Sequence, residues 1–302
     1  MNTEMDRVVR TALAEDLGLV GDLTTMVTVP AEATGTAYVM AREAGVLSGT
    51  TCADATFAQV DPEVTVTWHR RDGDKLTPGD VVGEFSGSAR SILTGERTAL
   101  NLLGHLSGIA TRTAEMVALV DGTKARIADT RKTTPGLRAL EKRAVADGGG
   151  INHRFGLHDA ILVKDNHIGL GGGLGPVLQR LANHTSHLVR VEIEVDTLEQ
   201  LEQVLAFDAA RLADGLPQVV HAILLDNMSP AQVAEGVRRV RQHPARVVTE
   251  VSGGVTEASV RALADAGPDV ISVGALTHSV RCLDFGLDLL TNGTVDKKHP
   301  KG

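Results

Sequence analysis

Between Thr130 and His167 the chain reads Thr-Arg-Lys-Thr-Thr-Pro-Gly-Leu-Arg, then Gly-Gly-Gly-Ile-Asn-His-Arg, then Lys-Asp-Asn-His. Arg131, Lys132, His153, Arg154, Lys164 and His167 offer donors of three geometries: planar guanidinium forks that grip carboxylates through two parallel bonds, mobile ammonium groups, and imidazoles. The intervening glycines let the backbone turn tightly and come close to a ligand. Residues 124–167 hold nine Lys/Arg against five Asp/Glu, a balance of +4, whereas the whole chain is −8, which leaves −12 for the rest. A basic patch on an acidic protein captures a small polyanion, while the overall charge argues against a general nucleic-acid binder.

Two further groups extend this chemistry. Glu194 and Asp226 end neighbouring β-branched runs and form a carboxylate pair able to hold Mg²⁺, directly or through water, or to bind sugar hydroxyls. Glu192 is expected on the opposite face, in an ion pair outside the barrel. Ser252-Gly253-Gly254 and Gly274-Ala275 each follow such a run and precede a helical pattern, so their backbone N–H groups can cradle a phosphate. Together these residues suit the joining of a phosphosugar to an acidic compound. A Schiff-base aldolase would also place a lysine at a strand end, but it has no need of Arg131, Lys132, His153 and Arg154 crowded beside it.

The elements that must position these residues follow from periodicity. Apolar residues at helical spacing predict a helix over 3–16, and short alternating runs at 36–40, 64–68 and 81–85 predict strands of a small α+β domain. A long helical stretch from about Ser91 to Val120 follows, with expected interruptions near Gly104 and Gly108. Six β-branched runs then recur at 126–129, 160–164, 191–194, 222–226, 247–251 and 270–274, each followed by a loop and a helical pattern. Such βα units argue for an α/β barrel or a doubly wound parallel sheet, whose strand ends gather at one rim that carries the site.

Composition narrows the class. Hydrophobic residues at 42% and charged residues at 23% are ordinary for a globular chain, and aromatics at 2% leave few platforms for stacking single-stranded bases. Cys52 and Cys282 cannot make a disulfide framework, and no Cys/His spacing suggests structural zinc. The charged beginning lacks an apolar signal core and nothing is long enough to span a membrane, so a cytoplasmic protein is expected.

These motifs, with Glu96-Arg97-Thr-Ala-Leu-Asn-Leu-Leu, Val-Glu-Ile-Glu194-Val, Leu-Leu-Asp226-Asn and Ser-Val-Gly274-Ala-Leu-Thr, closely resemble the quinolinate phosphoribosyltransferases over nearly the whole chain. The resemblance implies an N-terminal α/β sandwich domain, residues 1–110 with 278–302 packed on it, followed by an open α/β barrel, residues 111–277, of the type II phosphoribosyltransferase kind. It implies conversion of quinolinate and phosphoribosyl pyrophosphate, with Mg²⁺, into nicotinate mononucleotide, pyrophosphate and CO₂ in NAD biosynthesis, within a homodimer.

By that resemblance Arg131, His153, Arg154 and Lys164 hold the quinolinate carboxylates and Arg97 arrives in trans from the partner. Lys132 and His167 face phosphoribosyl pyrophosphate, and Ser252, Gly253, Gly254, Gly274 and Ala275 bind phosphate. Lys132, Lys164, Glu194 and Asp226 form the catalytic group, with Glu194 and Asp226 as the metal carboxylates. The stretch from Phe207 to His221 is longer than the pattern implies and is expected to be a surface insertion. A nicotinate-type phosphoribosyltransferase and a non-catalytic phosphosugar sensor on the same fold remain as alternatives.

Overall fold

The structure is a computed structural model that describes residues 3–291 and 294–295. The chain divides into two compact units, one drawn from 1–114, 133–149 and 276–302 and the other from 115–132 and 150–275. Residues 292–293 and 296–302 of the tail expected on the first domain lie outside the described residues.

In the first unit, β1 (Thr34–Ala41), β3 (Thr65–Trp68) and β5 (Val81–Ser88) form an antiparallel sheet, beside a two-stranded ribbon of β2 (Gly45–Val46) and β4 (Lys75–Leu76). Val39, Val82 and Phe85 turn into a core closed by Phe57, Ile92 and Leu103. With so few aromatics, the Phe57 and Phe85 rings at 4.4 Å fill its centre. The helix Arg138–Asp147 belongs to this unit, tied in by the Asp147 carboxylate on Ser48 Oγ at 2.8 Å and by the buried Glu141 on His105 Nε2 at 2.9 Å.

The second unit carries six parallel strands: β6 (Arg126–Ala128), β7 (Ile161–Val163), β8 (Val191–Val195), β9 (Ala222–Asp226), β10 (Val248–Ser252) and β11 (Val270–Ser272). Their order is β6-β11-β10-β9-β8-β7, so β6 and β7 stand at the two ends and the barrel is open. Ile151 bridges to Ala128 on the free edge of β6. All six strands match the β-branched runs of the sequence. Alternation then decides the site. Ile193, Val195, Ile223, Leu225 and Val251 are buried, and Gly236 of the helix Pro230–Arg241 lies so close that a Cβ there would meet Leu225 at 3.0 Å. This face packs on helices, so Glu192, Glu194, Asp226, Glu250 and Ser252 share the other.

Thr197 and Ser229 cap the helices after β8 and β9 by accepting the N–H groups of Gln200 and Gln232. The Phe207–His221 stretch is exposed at 213–217, on the surface as expected. Its first half continues the helix Leu198–Ala213, and the buried Asp208 accepts the Val219 and Val220 N–H groups at 2.9 and 2.8 Å.

The helix expected to break near Gly104 and Gly108 runs unbroken from Ala89 to Leu119. Its glycines serve close packing instead. The segment Arg281–Leu283 crosses them on the way to β12 (Phe285–Thr291), which pairs antiparallel with β1 and ends against β13 (Thr294–Val295). A Cβ at Gly108 would lie 2.2 Å from the Arg281 carbonyl oxygen, and one at Gly104 would lie 2.7 Å from that of Leu283. Alanine in a helix interior normally gains about 0.5–1 kcal/mol over glycine. Gly108→Ala should instead destabilise the protein by about 1–3 kcal/mol through overpacking, read by urea unfolding. A stabilised variant would mean that the 281–283 segment does not cross the helix there.

Candidate active site

The site grows from Asp129, fully buried just past β6. Its carboxylate accepts Asn152 Nδ2 at 2.7 Å and the His153 backbone N–H at 2.8 Å. Those bonds, with Ile151 N–H on the Ile127 carbonyl at 2.8 Å, lay residues 151–153 along the open edge of β6. A buried carboxylate is tolerable here because peptide N–H and amide donors replace its water.

Beyond His153 the chain presents a pair of arginines. Arg154 donates through Nη1 to the Ala160 carbonyl at 3.0 Å, while its Nε is buried without a partner, as is Nε of Arg131. Burial and the repulsion of Arg131 hold the Arg154 guanidinium below its usual range. Two like charges side by side, each with a buried N–H group left without a protein partner, favour an anion between them.

A second cluster sits on the strand ends. Lys164, just after β7, pairs with Glu194. Glu194 and Asp226 are both pushed up, first by burial; Lys164 opposes this in both and Lys132 in Asp226, while the Asp226 charge adds to the rise at Glu194. Asp226 accepts Asn227 Nδ2 at 2.6 Å, and Asn227 takes a left-handed φ of 53°. Gly253 follows on the next strand end. A Cβ on it would strike Asn227 Oδ1 at 2.2 Å, so only glycine fits, whereas a Cβ on Gly254 would meet nothing within 4 Å. The Ser252–Gly254 turn therefore offers backbone to open space before the helix Glu257–Asp265. Gly274 and Ala275 follow β11. His167 folds back, its Nδ1 accepting the Lys164 N–H at 2.9 Å.

One placement differs from the sequence reading. Glu192 is not outside the barrel: two residues from Glu194, it shares the inner face, and its Oε2 lies 3.0 Å from His153 Nε2. Glu250 Oε1 lies 3.5 Å from the same nitrogen. Burial, then the neighbouring Glu192, pushes the Glu250 carboxyl well above the usual range. Asn152 was passed over as a site residue, and Asp129 and Glu250, which the sequence places at strand ends on the rim, were given no role of their own, although Glu250 has the parity of Ser252. His153 spends both ring nitrogens inside the protein, Nδ1 accepting the Arg154 N–H at 2.7 Å. A cavity of about 830 Å³ runs from His153, Arg154, Glu192 and Glu250 to Arg190 and Arg246 at the strand starts. The Lys164, Glu194 and Asp226 cluster lies on the open rim and does not line it. Arg97 is exposed in the first unit.

A barrel with paired arginines, rim carboxylates and a glycine turn has separate places for two anionic partners, which group-transfer enzymes acting on phosphosugars need. Comparison with known proteins makes the class specific. Residues 22–107 match the N-terminal domain of quinolinate phosphoribosyl transferase and residues 109–288 its C-terminal domain, and the chain belongs to that family. It is 43% identical over 286 residues to the nicotinate-nucleotide pyrophosphorylase (carboxylating) of Mycobacterium leprae, covering 93% of this chain and 95% of that one. It is 40% identical over 284 residues to the probable enzyme of the same name from Bacillus subtilis, covering 94% and 93%. The crystal structure of NadC from Streptococcus pyogenes superposes with a TM-score of 0.87 at 38% identity, over 96% of this chain and 99% of that one.

The raised carboxyls set a direction for stability. A carboxyl that holds its proton more tightly folded than unfolded makes stability fall as pH climbs from the unfolded value, about 4, through the folded one. In EDTA, Asp226→Asn should match or exceed the wild-type Tm at pH 8, and the wild type should lose ground to the variant as pH rises from 4. A variant Tm several degrees lower at every pH would give Asp226 a structural role instead.

Proposed function

We propose that this chain transfers the phosphoribosyl group of phosphoribosyl pyrophosphate to quinolinate with loss of CO₂, forming nicotinate mononucleotide and pyrophosphate. The observation that carries this is the Arg131–Arg154 pair with its two buried, unpartnered Nε–H groups, beside a separate carboxylate and glycine rim. One anionic partner suits the arginines and the other the rim. In this reading Arg131, Arg154 and Lys164 orient the two carboxylates of quinolinate and aim the ring nitrogen at C1 of the ribose. The nitrogen forms its bond to C1 as the C1–O bond to pyrophosphate breaks. The positive ring nitrogen then stabilises the electron pair left at C2 when CO₂ departs, and a proton takes up that pair in place of CO₂. No protein nucleophile is needed; orientation and electrostatics supply the catalysis.

Lys132, His167 and the 252–254 and 274–275 turns face the phosphates. The donor set of Glu194 and Asp226, oxygen only and raised by burial, fits a hard cation. Mg²⁺ bound there would neutralise the leaving pyrophosphate. Product analysis with purified protein, Mg²⁺, phosphoribosyl pyrophosphate and quinolinate tests the proposal; release of nicotinate mononucleotide and CO₂ supports it, and no turnover overturns it. Turnover of nicotinate in its place would select the nicotinate-type alternative.

The same reading makes the enzyme a homodimer in the cytoplasm. Among the described residues no helix is long and apolar enough to cross a membrane. Leu19, Val20, Leu23, Met26 and Val27 form an exposed apolar run near the start of the chain, suited to a second copy. Arg97, exposed beside Glu96 on the long helix, would reach the neighbour's site.

Arg154→Lys keeps charge but loses the fork. It should cost about 2 kcal/mol, roughly thirtyfold, in kcat/KM for quinolinate while KM for phosphoribosyl pyrophosphate stays put. Equal losses for both would point to a structural role. Arg97→Ala and Lys164→Ala chains, each nearly inactive, should regain roughly a quarter of wild-type activity when co-expressed, since half the dimers are mixed and half their sites intact. Activity no higher than either parent, with mixed dimers demonstrated, would remove Arg97 from its neighbour's site.

A further inference from the structure

We infer that Asn227 is a positioning residue for phosphoribosyl pyrophosphate, one that holds the Asp226 carboxylate in register with the Ser252–Gly254 turn. This rests on the reading of the rim given above and adds a residue that acts through Asp226. Asn227 stands one place beyond β9 at a left-handed φ of 53°, and every other positive φ among the described residues belongs to a glycine. Glycine takes that conformation without a steric penalty, and asparagine does not. An asparagine standing where glycine would sit more easily points to work done by its side chain.

The side chain and the backbone of Asn227 each tie one strand end. Its Nδ2 donates to Asp226 Oδ2 at 2.6 Å, and its backbone N–H donates to the Ser252 carbonyl at 3.0 Å, one step beyond the Asp226–Ser252 pair that ends the β9–β10 register. Gly253 leaves room for this arrangement, since a Cβ there would lie 2.2 Å from Asn227 Oδ1 and 2.8 Å from its backbone nitrogen. Asn227 is exposed, so a hydrogen bond to its own neighbour adds little to folding. Its effect is on direction. Lys164 and Lys132 both attract the Asp226 charge, and the amide holds Oδ2 against that pull. Oδ1 is left without a hydrogen-bond partner among the described residues, open to a cation or a ribose hydroxyl. Ligating carboxylates are commonly aimed by such an outer partner.

The test is titration calorimetry on the full-length protein, with phosphoribosyl pyrophosphate and Mg²⁺ in one series and benzene-1,2-dicarboxylate in the other. The second probe has the two adjacent carboxylates of quinolinate without the ring nitrogen that reacts. Asn227→Gly keeps the left-handed backbone and deletes the amide. Asn227→Asp keeps the shape and tolerates the same φ, but sets a second carboxylate against Asp226. Both should raise Kd for phosphoribosyl pyrophosphate by roughly ten- to a hundredfold, with Kd for the dicarboxylate within about twofold. A phosphoribosyl pyrophosphate Kd within about twofold of the wild type in both variants, or an equal rise for both ligands, would overturn the inference. Thermal unfolding in EDTA separates a purely structural role, because loss of strain and gain of chain freedom offset each other in Asn227→Gly and its Tm should stay within about two degrees of the wild type. A Tm lower by several degrees would make Asn227 a structural residue of the strand end and overturn the inference as well. Should the wild-type protein bind no phosphoribosyl pyrophosphate, the phosphoribosyl-transfer reading itself has failed, a result distinct from any of these.

Discussion

A parallel strand with one face against helices places its charged side chains on its other face. In this barrel that constraint governs the rest. Ile193, Leu225 and Val251 seat the strands on their helices, which forces Glu192, Glu194, Asp226 and Glu250 together on the inner face. Charges so placed lose water, and each must find a partner or change protonation state. Asp129 finds backbone and amide donors, Glu192 finds an imidazole, and Glu194 finds Lys164. Glu250 takes the other course and is driven toward its neutral form. The arginine pair retains buried Nε–H groups without protein partners.

The six strands were legible because each is a β-branched run ending in a residue that no core would choose, such as Asp226 or Ser252. Arg131, Arg154 and the glycine turns stand out by residue type alone, and the structure brings the two arginines within reach of each other's charge. The place of Glu192 was hidden by a misassigned parity, since residues two apart on a strand share a face; counting from Glu194 recovers it. Gly104 and Gly108 misled for a deeper reason. Local pattern treats glycine as a helix breaker, while here it admits a chain segment more than 170 positions away in sequence. The pairing of Phe285–Thr291 with β1 is equally non-local.

Selectivity follows from the same electrostatics. Asp129, Glu192 and Glu194 have internal partners, whereas the arginines repel each other and are favoured by an anion. A ligand with one carboxylate leaves positive charge unpaired in a partly desolvated place, a penalty of roughly 3–5 kcal/mol. Discrimination by missing partners exceeds what a hydrophobic pocket can achieve by shape.

The ratio of kcat/KM for quinolinate over nicotinate, measured on the wild-type enzyme with saturating phosphoribosyl pyrophosphate, tests that claim most directly. A preference for quinolinate of at least about a hundredfold is predicted from the unpaired charge. Comparable values for the two acids would show that the arginine pair does not count carboxylates, and would contradict the account.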